Sequence, residues 1–405
     1  MKVVGIVAEY NPFHNGHAYH IQKAKEITGC EYCIVVMSGD YTQRGVPAMI
    51  DKYSRAKMAL LNGADLVIEL PVRFATSSAE GFATCAISLL NATGIVTDLC
   101  FGSECGNVEK LSKIAKVLLD EPEEYKEALK RELKNGHAYP VARNMALQGL
   151  DFWDFDSLKI LSMPNNILGI EYIKALLKTD SKINPVTIQR KGSNYNDCSL
   201  SELYSSAMAI RSSIATTNNL ENIFSDVPQN VYDLMKEMQD ISFPIVPDDF
   251  SEMLHYKLLS EKDNGFTQYI DVNTDLSDRI AKNVYQYRNY ENFCDILKTK
   301  NMTYTRISRC LLHILLNLKN NNSLEPSYLR ILGLNTKAND LSKALKEHCT
   351  LPLISKMADS KKQLSEDAFT LLKEDTFASD LYNIVLSHKF EKDFVSDYQK
   401  QIQIL

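Results

Sequence analysis

The chain has 405 residues, 45% hydrophobic and 24% charged, which is long enough for two or three packed domains and too apolar to remain disordered. No stretch approaches the ~18 uninterrupted apolar residues of a membrane span, and the early run Val3–Ala8 is too short for a signal-peptide core and is broken by Glu9. A membrane role is therefore excluded, a cytoplasmic location is expected, and the 9 cysteines are expected as reduced thiols. The formal net charge of -6 excludes a uniformly basic nucleic-acid binder, but the charge is uneven. Residues 216–278 hold 3 basic and 13 acidic side chains, whereas residues 279–362 hold 15 basic and 6 acidic ones, a block at net +9.

In chain order, Val3–Ala8 is a continuous apolar run of the kind that forms a parallel strand covered on both faces. Apolar spacing over residues 17–27 predicts a helix closed by Gly29, followed by a strand from Cys33 to Met37 and a helix over 52–62 ending at Gly63. A third strand over 65–70 stops at Pro71, a helix spans 78–91, and a fourth strand follows over 98–101. Cys30-x-x-Cys33 stands without a second pair at zinc-ligand spacing, so burial is the better reading and no metal site is expected. Residues 107–160 form a charged helical insertion, after which Asn165 and Asn166 open a helix and residues 186–190 form another strand.

Strands separated by single helices predict an α/β fold, a doubly wound parallel sheet with its ligand site at the carboxyl ends of the strands. This domain is expected over residues 1–215, a proline-bearing linker over 216–247, and a mostly helical region over 248–405 with a small strand-helix-strand piece near 329–354.

The segment after the first strand reads Asn11-Pro12-Phe13-His14-Asn15-Gly16-His17. His14 and His17 lie three apart where loop becomes helix, so both rings can share one side of a turn whose unpaired amides already favour an anion. Imidazole donors there would stabilise charge as pyrophosphate leaves an α-phosphate, and Gly16 would let a nucleotide approach the backbone. Two loop histidines are also ordinary polar surface residues, but the buried strand before them and the helix after them favour catalysis. Later, Ser205-Ser206-Ala207-Met208-Ala209-Ile210-Arg211 opens a helix with hydroxyl residues, which sets Arg211 to meet a β- or γ-phosphate. Met208 stands where a hydroxyl residue is usual. Asp40, at the end of the second strand, is a candidate either to accept a substrate proton or to cap the turn after Gly39. Lys52, Arg55 and Lys57 would pair phosphates or solvate a helix face. Arg306 and Arg309 are expected to share a helix face opposite Ile307, Leu311, Ile314 and Leu315. With Lys298 and Lys300 upstream, they would contact RNA phosphates, or else pair with the acidic stretch before them.

His-x-Gly-His loops occur in class I aminoacyl-tRNA synthetases and nucleotidyltransferases, and no synthetase-type Lys-Met-Ser-Lys-Ser loop is present. The blocks 6–17, 37–45, 57–60, 63–71 and 164–169, together with 303–309 and 332–335, resemble those of the bacterial tRNA(Met) cytidine acetate ligases along nearly the whole chain. The resemblance implies that ATP and acetate form acetyl-adenylate, with Mg2+ on the β- and γ-phosphates, and that the acetyl group passes to N4 of the wobble cytidine of elongator tRNA(Met). It also implies an ATP site lined by Val7, Ala8, Glu9, Tyr10, Asn11, Pro12, Phe13, His14, Asn15, Gly16, His17, Ala18, Tyr19 and His20, with Gly102, Asn165 or Asn166, Arg190 and Lys191. Two other functions remain open: an adenylyltransferase acting on a small phosphorylated metabolite, and a non-catalytic RNA-binding protein responsive to ATP.

Overall fold

The computed structural model describes residues 1–137, 139–148, 160–190, 205–300, 302–320 and 325–405. Its first half runs β1 (Val3–Ala8), α1 (Asn15–Thr28), β2 (Tyr32–Ser38), α2 (Lys52–Leu61), β3 (Leu66–Leu70), the one-turn α3 (Val72–Ala75), α4 (Ala79–Ala92) and β4 (Asp98–Ser103). Next come α5 (Val108–Asp120), α6 (Glu123–Lys134), α7 (Tyr139–Gln148), α8 (Pro164–Lys178), β5 (Asn184–Gln189) and α9 (Ala207–Thr217). The remainder contains α10 (Gln229–Met238), α11 (Ser251–Glu261), α12 (Thr274–Asn283), α13 (Tyr290–Leu297), α14 (Tyr304–Leu315), β6 (Leu329–Leu334), α15 (Asn339–His348), β7 (Leu353–Ile354), α16 (Ser360–Gln363), α17 (Glu366–Lys389) and β8 (Gln403–Ile404).

The strands lie in the order β5-β4-β1-β2-β3-β6-β7, with β8 beside β6. The first five are parallel, and successive residues feed opposite cores, as the period of two requires. Val3, Ile34, Ile68 and Leu99 pack with residues of α4 and α8, whereas Val4, Val35, Val67 and Cys100 pack with residues of α1 and α2. Both sets are apolar because helices cover both faces of the sheet, which is why these strands read as continuous apolar runs. Because β1 leads to β2 on one side and has β4 on the other, the strand order reverses at β1/β4, where open sheets leave a crevice.

The sheet does not end with the N-terminal region. β6 pairs antiparallel with β3, with Leu66 opposite Leu334 and Glu69 opposite Arg330, and β7 and β8 both join β6. The apolar periodicity marked this strand, but not its partner; pairing covers an edge of β3 that would otherwise be left open. The segment 216–247, expected as a linker, is instead packed structure. Leu220, Ile223, Val231, Met235 and Phe243 are buried in the same core as Val4 and Ile6. Its prolines misled because Pro228 caps α10 and Pro247 opens a short 3-10 turn, positions where proline starts a helix rather than breaking one. The helices α11 to α14 share a further core with α17, through Leu254, Leu276, Phe293, Leu311 and Tyr382.

Candidate active site

The loop after β1 is built around a residue in an uncommon conformation. Tyr10 has φ 49, in the left-handed region that bulky side chains rarely adopt, and its ring packs on Phe13 and His17 with centroids 4.8 Å from each. Arg55, fully buried, reaches from α2 to hold this loop: it donates to the carbonyls of Glu9 at 2.6 Å, Ser38 at 3.1 Å and Ile50 at 2.8 Å, and to that of Gly39. It therefore ties the ends of β1 and β2 together rather than pairing phosphates or solvating a helix face.

His14 is the N-cap of α1, and the two histidines cap each other's turn. His14 Nδ1 accepts from Gly16 N at 3.1 Å, and His17 Nδ1 accepts from His14 N at 3.2 Å. A nitrogen that accepts a hydrogen bond carries no proton, so each neutral ring holds its proton on Nε2, as an outward donor. The rings stack with centroids 3.7 Å apart and planes at 25°. Burial, then the guanidinium charges of Arg190 and Arg211, pull the His14 pKa down to about 3. Burial, then His14, Arg190 and His20, push His17 well below the ordinary histidine value, and burial with Arg190 takes His20 to about 4. All three rings are therefore neutral near pH 7.

These rings line a cavity of about 570 Å³ at the carboxyl ends of β1, β4 and β5. Arg211, near the start of α9, lines it and also donates from Nη1 to the carbonyl of Asn11 at 2.6 Å, which anchors the histidine loop. Ser206 caps α9 through Ala209 N, and Ser205, Ser206 and Met208 all reach the wall. Arg190 lies just beyond β5 and faces Gly102, where an added Cβ would stand 3.3 Å from the arginine Cγ. Phe82, Phe101, Leu168 and Tyr172 supply apolar surface, and Asn165 Nδ2 is held by Glu104 at 2.7 Å.

Not every expected residue reaches this space. Val7, Ala8, Glu9, Tyr10, Asn11, Gly16, Tyr19 and His20 do, whereas Phe13 is in the core and Asn15 binds the carbonyl of Ser225 at 2.7 Å. Pro12 and Ala18 do not line it, and Lys191 is outside the described residues. Of the two asparagines only Asn165 is a wall residue. Asn166 is buried, donating to Ile160 O at 3.2 Å and accepting from Cys105 N at 3.1 Å, because consecutive helical residues point in different directions. Asp40 is also misplaced by the catalytic reading. It is buried outside the cavity, accepting from Lys52 N and from Ser379 Oγ, each at 2.8 Å, so its carboxylate joins two parts of the fold. Lys52 is likewise internal, with Glu69 at 2.8 Å and Asp397 at 3.1 Å.

The largest reassignment concerns Arg309. Expected with Arg306 on one RNA-facing surface, it lines the cavity together with Thr305, while Arg306 does not. Lys298 and Lys300 are exposed, and among the described residues neither they nor Arg306 forms an ion pair. Thr42, Gln43 and Arg44, just after β2, complete that wall and carried no assignment from sequence. The rule that sites gather at parallel strand ends pointed to that loop, but nothing in the spacing of α14 could show that one of its faces meets it.

Residues 1–397 match the family model described as HIGH Nucleotidyl Transferase. The chain is 42% identical over 369 residues to the tRNA(Met) cytidine acetate ligase of Clostridium tetani (strain Massachusetts / E88), covering 88% of this chain and 91% of that protein. It is 42% identical over 392 residues to the protein of the same name from Thermoanaerobacter sp. (strain X514), covering 95% of each. Among solved structures, Thermotoga maritima TmcAL bound with alpha-thio ATP superposes with a TM-score of 0.92 at 33% identity, over 100% of both chains.

Proposed function

This chain belongs to the HIGH nucleotidyl transferase family, and we infer from that membership that it is an enzyme, an ATP-dependent tRNA(Met) cytidine acetate ligase. Acetate and ATP form acetyl-adenylate, and its acetyl group passes to N4 of the wobble cytidine of elongator tRNA(Met). The observation that carries the chemistry is the reciprocal cap, which leaves two neutral Nε2–H donors side by side at the mouth of the β1/β4 crevice.

In the first step an acetate oxygen attacks the α-phosphorus, the bond to the bridging oxygen breaks, and pyrophosphate leaves with the electron pair. His14 and His17 donate to an α-phosphate oxygen and to the bridging oxygen, where negative charge grows, and their fixed orientation requires no rearrangement as it does so. Arg211 and Arg190 offset the charge of the phosphates. In the second step cytosine N4, whose lone pair is delocalised into the ring, attacks the acetyl carbon; the carbon–oxygen bond to AMP breaks and N4 loses a proton.

Glu9 is the only carboxylate among the described residues that line the cavity, and no described group of three or more His, Cys, Asp or Glu side chains could hold a metal ion. A Mg2+ arriving with ATP would thus be held by phosphate oxygens rather than by a protein cage. The exposed Lys298 and Lys300, with Arg306, are proposed to hold backbone phosphates of the RNA. Among the described residues no helix is long and apolar enough to cross a membrane.

Incubation with labelled acetate, ATP and bulk tRNA, followed by nucleoside analysis, tests this function. Label in acetylcytidine, with AMP and pyrophosphate released, is the expected result. A dinucleotide product, or ATP binding without consumption of acetate, would overturn it.

A further inference from the structure

One wall of the cavity comes from elements other than β1, β4 and β5, and it is tied to the end of β1, where Gln43 N donates to Glu9 Oε1 at 2.7 Å. It is made by the loop after β2 and by the first turns of α14, which bring Gln43 and Arg44 from one side and Thr305 and Arg309 from the other. Gly45 makes that junction possible. It has φ 78, and a Cβ there would stand 2.3 Å from Arg309 N, so the loop lies directly against the backbone of α14. The Gly45 carbonyl accepts from Tyr290 and from Ser308 Oγ, each at 2.9 Å, which fixes the contact from the helical side.

Arg309 Nε is sealed from solvent and has no hydrogen-bond partner among the described residues. Burial lowers the pKa of this guanidinium, Asp271 and Cys310 act the other way, and Arg306 adds to the lowering. Beside a cavity, a half-buried cation whose Nε has no partner can take a further acceptor. Along α14 Thr305 and Arg309 are four apart and both line the cavity, and Lys298 and Lys300, upstream in the chain, are exposed.

We propose that Arg309 and Arg44 form an acceptor subsite that binds a phosphodiester next to the target cytidine and so brings N4 to the acetyl-adenylate. This rests on the ligase reading above and adds to it the residues that receive the RNA inside the cavity. The nucleotide is assigned to the β1/β4 crevice, with the histidine loop, Arg190 and Arg211. The Arg44–Arg309 wall is supplied by the loop that follows β2 and by the basic helical region, which an ATP half-reaction does not need.

The test compares two rates in each variant of the full chain: acetate-dependent exchange of pyrophosphate into ATP, and acetyl transfer to tRNA. In Arg309→Ala and in Arg44→Ala, transfer should fall about 10- to 100-fold further than exchange, as expected for loss of a charge-assisted hydrogen bond. The slope of log affinity for tRNA against log salt should flatten by roughly 0.7 in each. Arg309→Lys, which keeps the charge and the packed stem but not the planar fork, should show the same split in smaller measure. If Arg309→Ala does not fold, Arg309→Lys and Arg44→Ala decide the matter. Equal losses in exchange and transfer, or no loss in either, would overturn the inference alone. A parent protein that exchanges pyrophosphate but acetylates no RNA would overturn the ligase reading as well.

Discussion

Two buried polar clusters of this molecule have opposite characters. In one, Lys52, Glu69, Arg330 and Asp397 are nearly inaccessible to solvent and stand in contact with opposite charges: Lys52 lies 2.8 Å from Glu69, and Arg330 is 3.1 Å from Glu69 and 2.7 Å from Asp397, although Arg330 Nη1 makes no well-aligned hydrogen bond among the described residues. Tyr53 and Ser379 complete the set, and the contacts join α2 and β3 to β6, α17 and the segment before β8. In the other, His14 is buried and His17 and His20 are half-buried, all three are neutral, and His20 Nε2 has no partner among the described residues. Opposite charges in contact hold a fold together, whereas neutral donors that line a cavity are left for a ligand. Residue type does not separate the two cases, since lysine, arginine and aspartate near a phosphate site read equally well as either.

The largest expected effect comes from breaking the charged cluster. Arg330→Ala leaves Glu69 and Asp397 without one counter-charge, and should cost about 3–5 kcal/mol of stability in chemical denaturation. A loss below about 1 kcal/mol would mean that water enters the cluster and that it is not the staple described.

The neutral cluster should respond in rate rather than in stability. His14→Ala and His17→Ala should each slow acetate-dependent pyrophosphate exchange on the order of 100-fold, as removal of a donor to a developing charge does. Exchange at the parent rate in both variants would remove the histidines from the chemistry.

Asp40 offers a sharper contrast, because the sequence left it between a proton acceptor and a turn cap, and the structure puts it beside the charged cluster. Asp40→Ala should cost about 1–3 kcal/mol through the unpaired Lys52 N and Ser379 Oγ. Its acetyl transfer, corrected for the folded fraction, should stay within about threefold of the parent, a small effect on the scale of catalytic losses. A hundredfold loss in well-folded protein would restore it as a proton acceptor.

The smallest effect is on the pH dependence of stability. A histidine whose pKa falls from about 6.5 when unfolded to about 3 in the fold binds fewer protons in the native state between those values. Stability due to His14 is therefore complete above about pH 6.5 and is lost as the pH falls below it, by at most about 1.4 kcal/mol per pH unit. Denaturation of the parent and of His14→Gln at pH 7, 6 and 5 should show a shallower decline in the variant. Equal slopes would mean that His14 titrates normally in the folded protein.

The amino-acid sequence by itself determined the alternating N-terminal strands and helices, the loop carrying His14 and His17, and the helix start before Arg211. Each is encoded locally, by an apolar run, a helical period, a proline or a capping residue, so neighbouring residues suffice to read it. Only the tertiary structure decided that Leu329–Leu334 completes the N-terminal sheet, that Asp40 and Lys52 face Ser379 and Asp397, and that Gly45 sets Arg309 against the cavity. Those contacts join residues hundreds of positions apart, and hydrophobic periodicity states only that a face will be buried. What buries it, and whether a charge there meets a partner or a ligand, depends on how the distant elements pack.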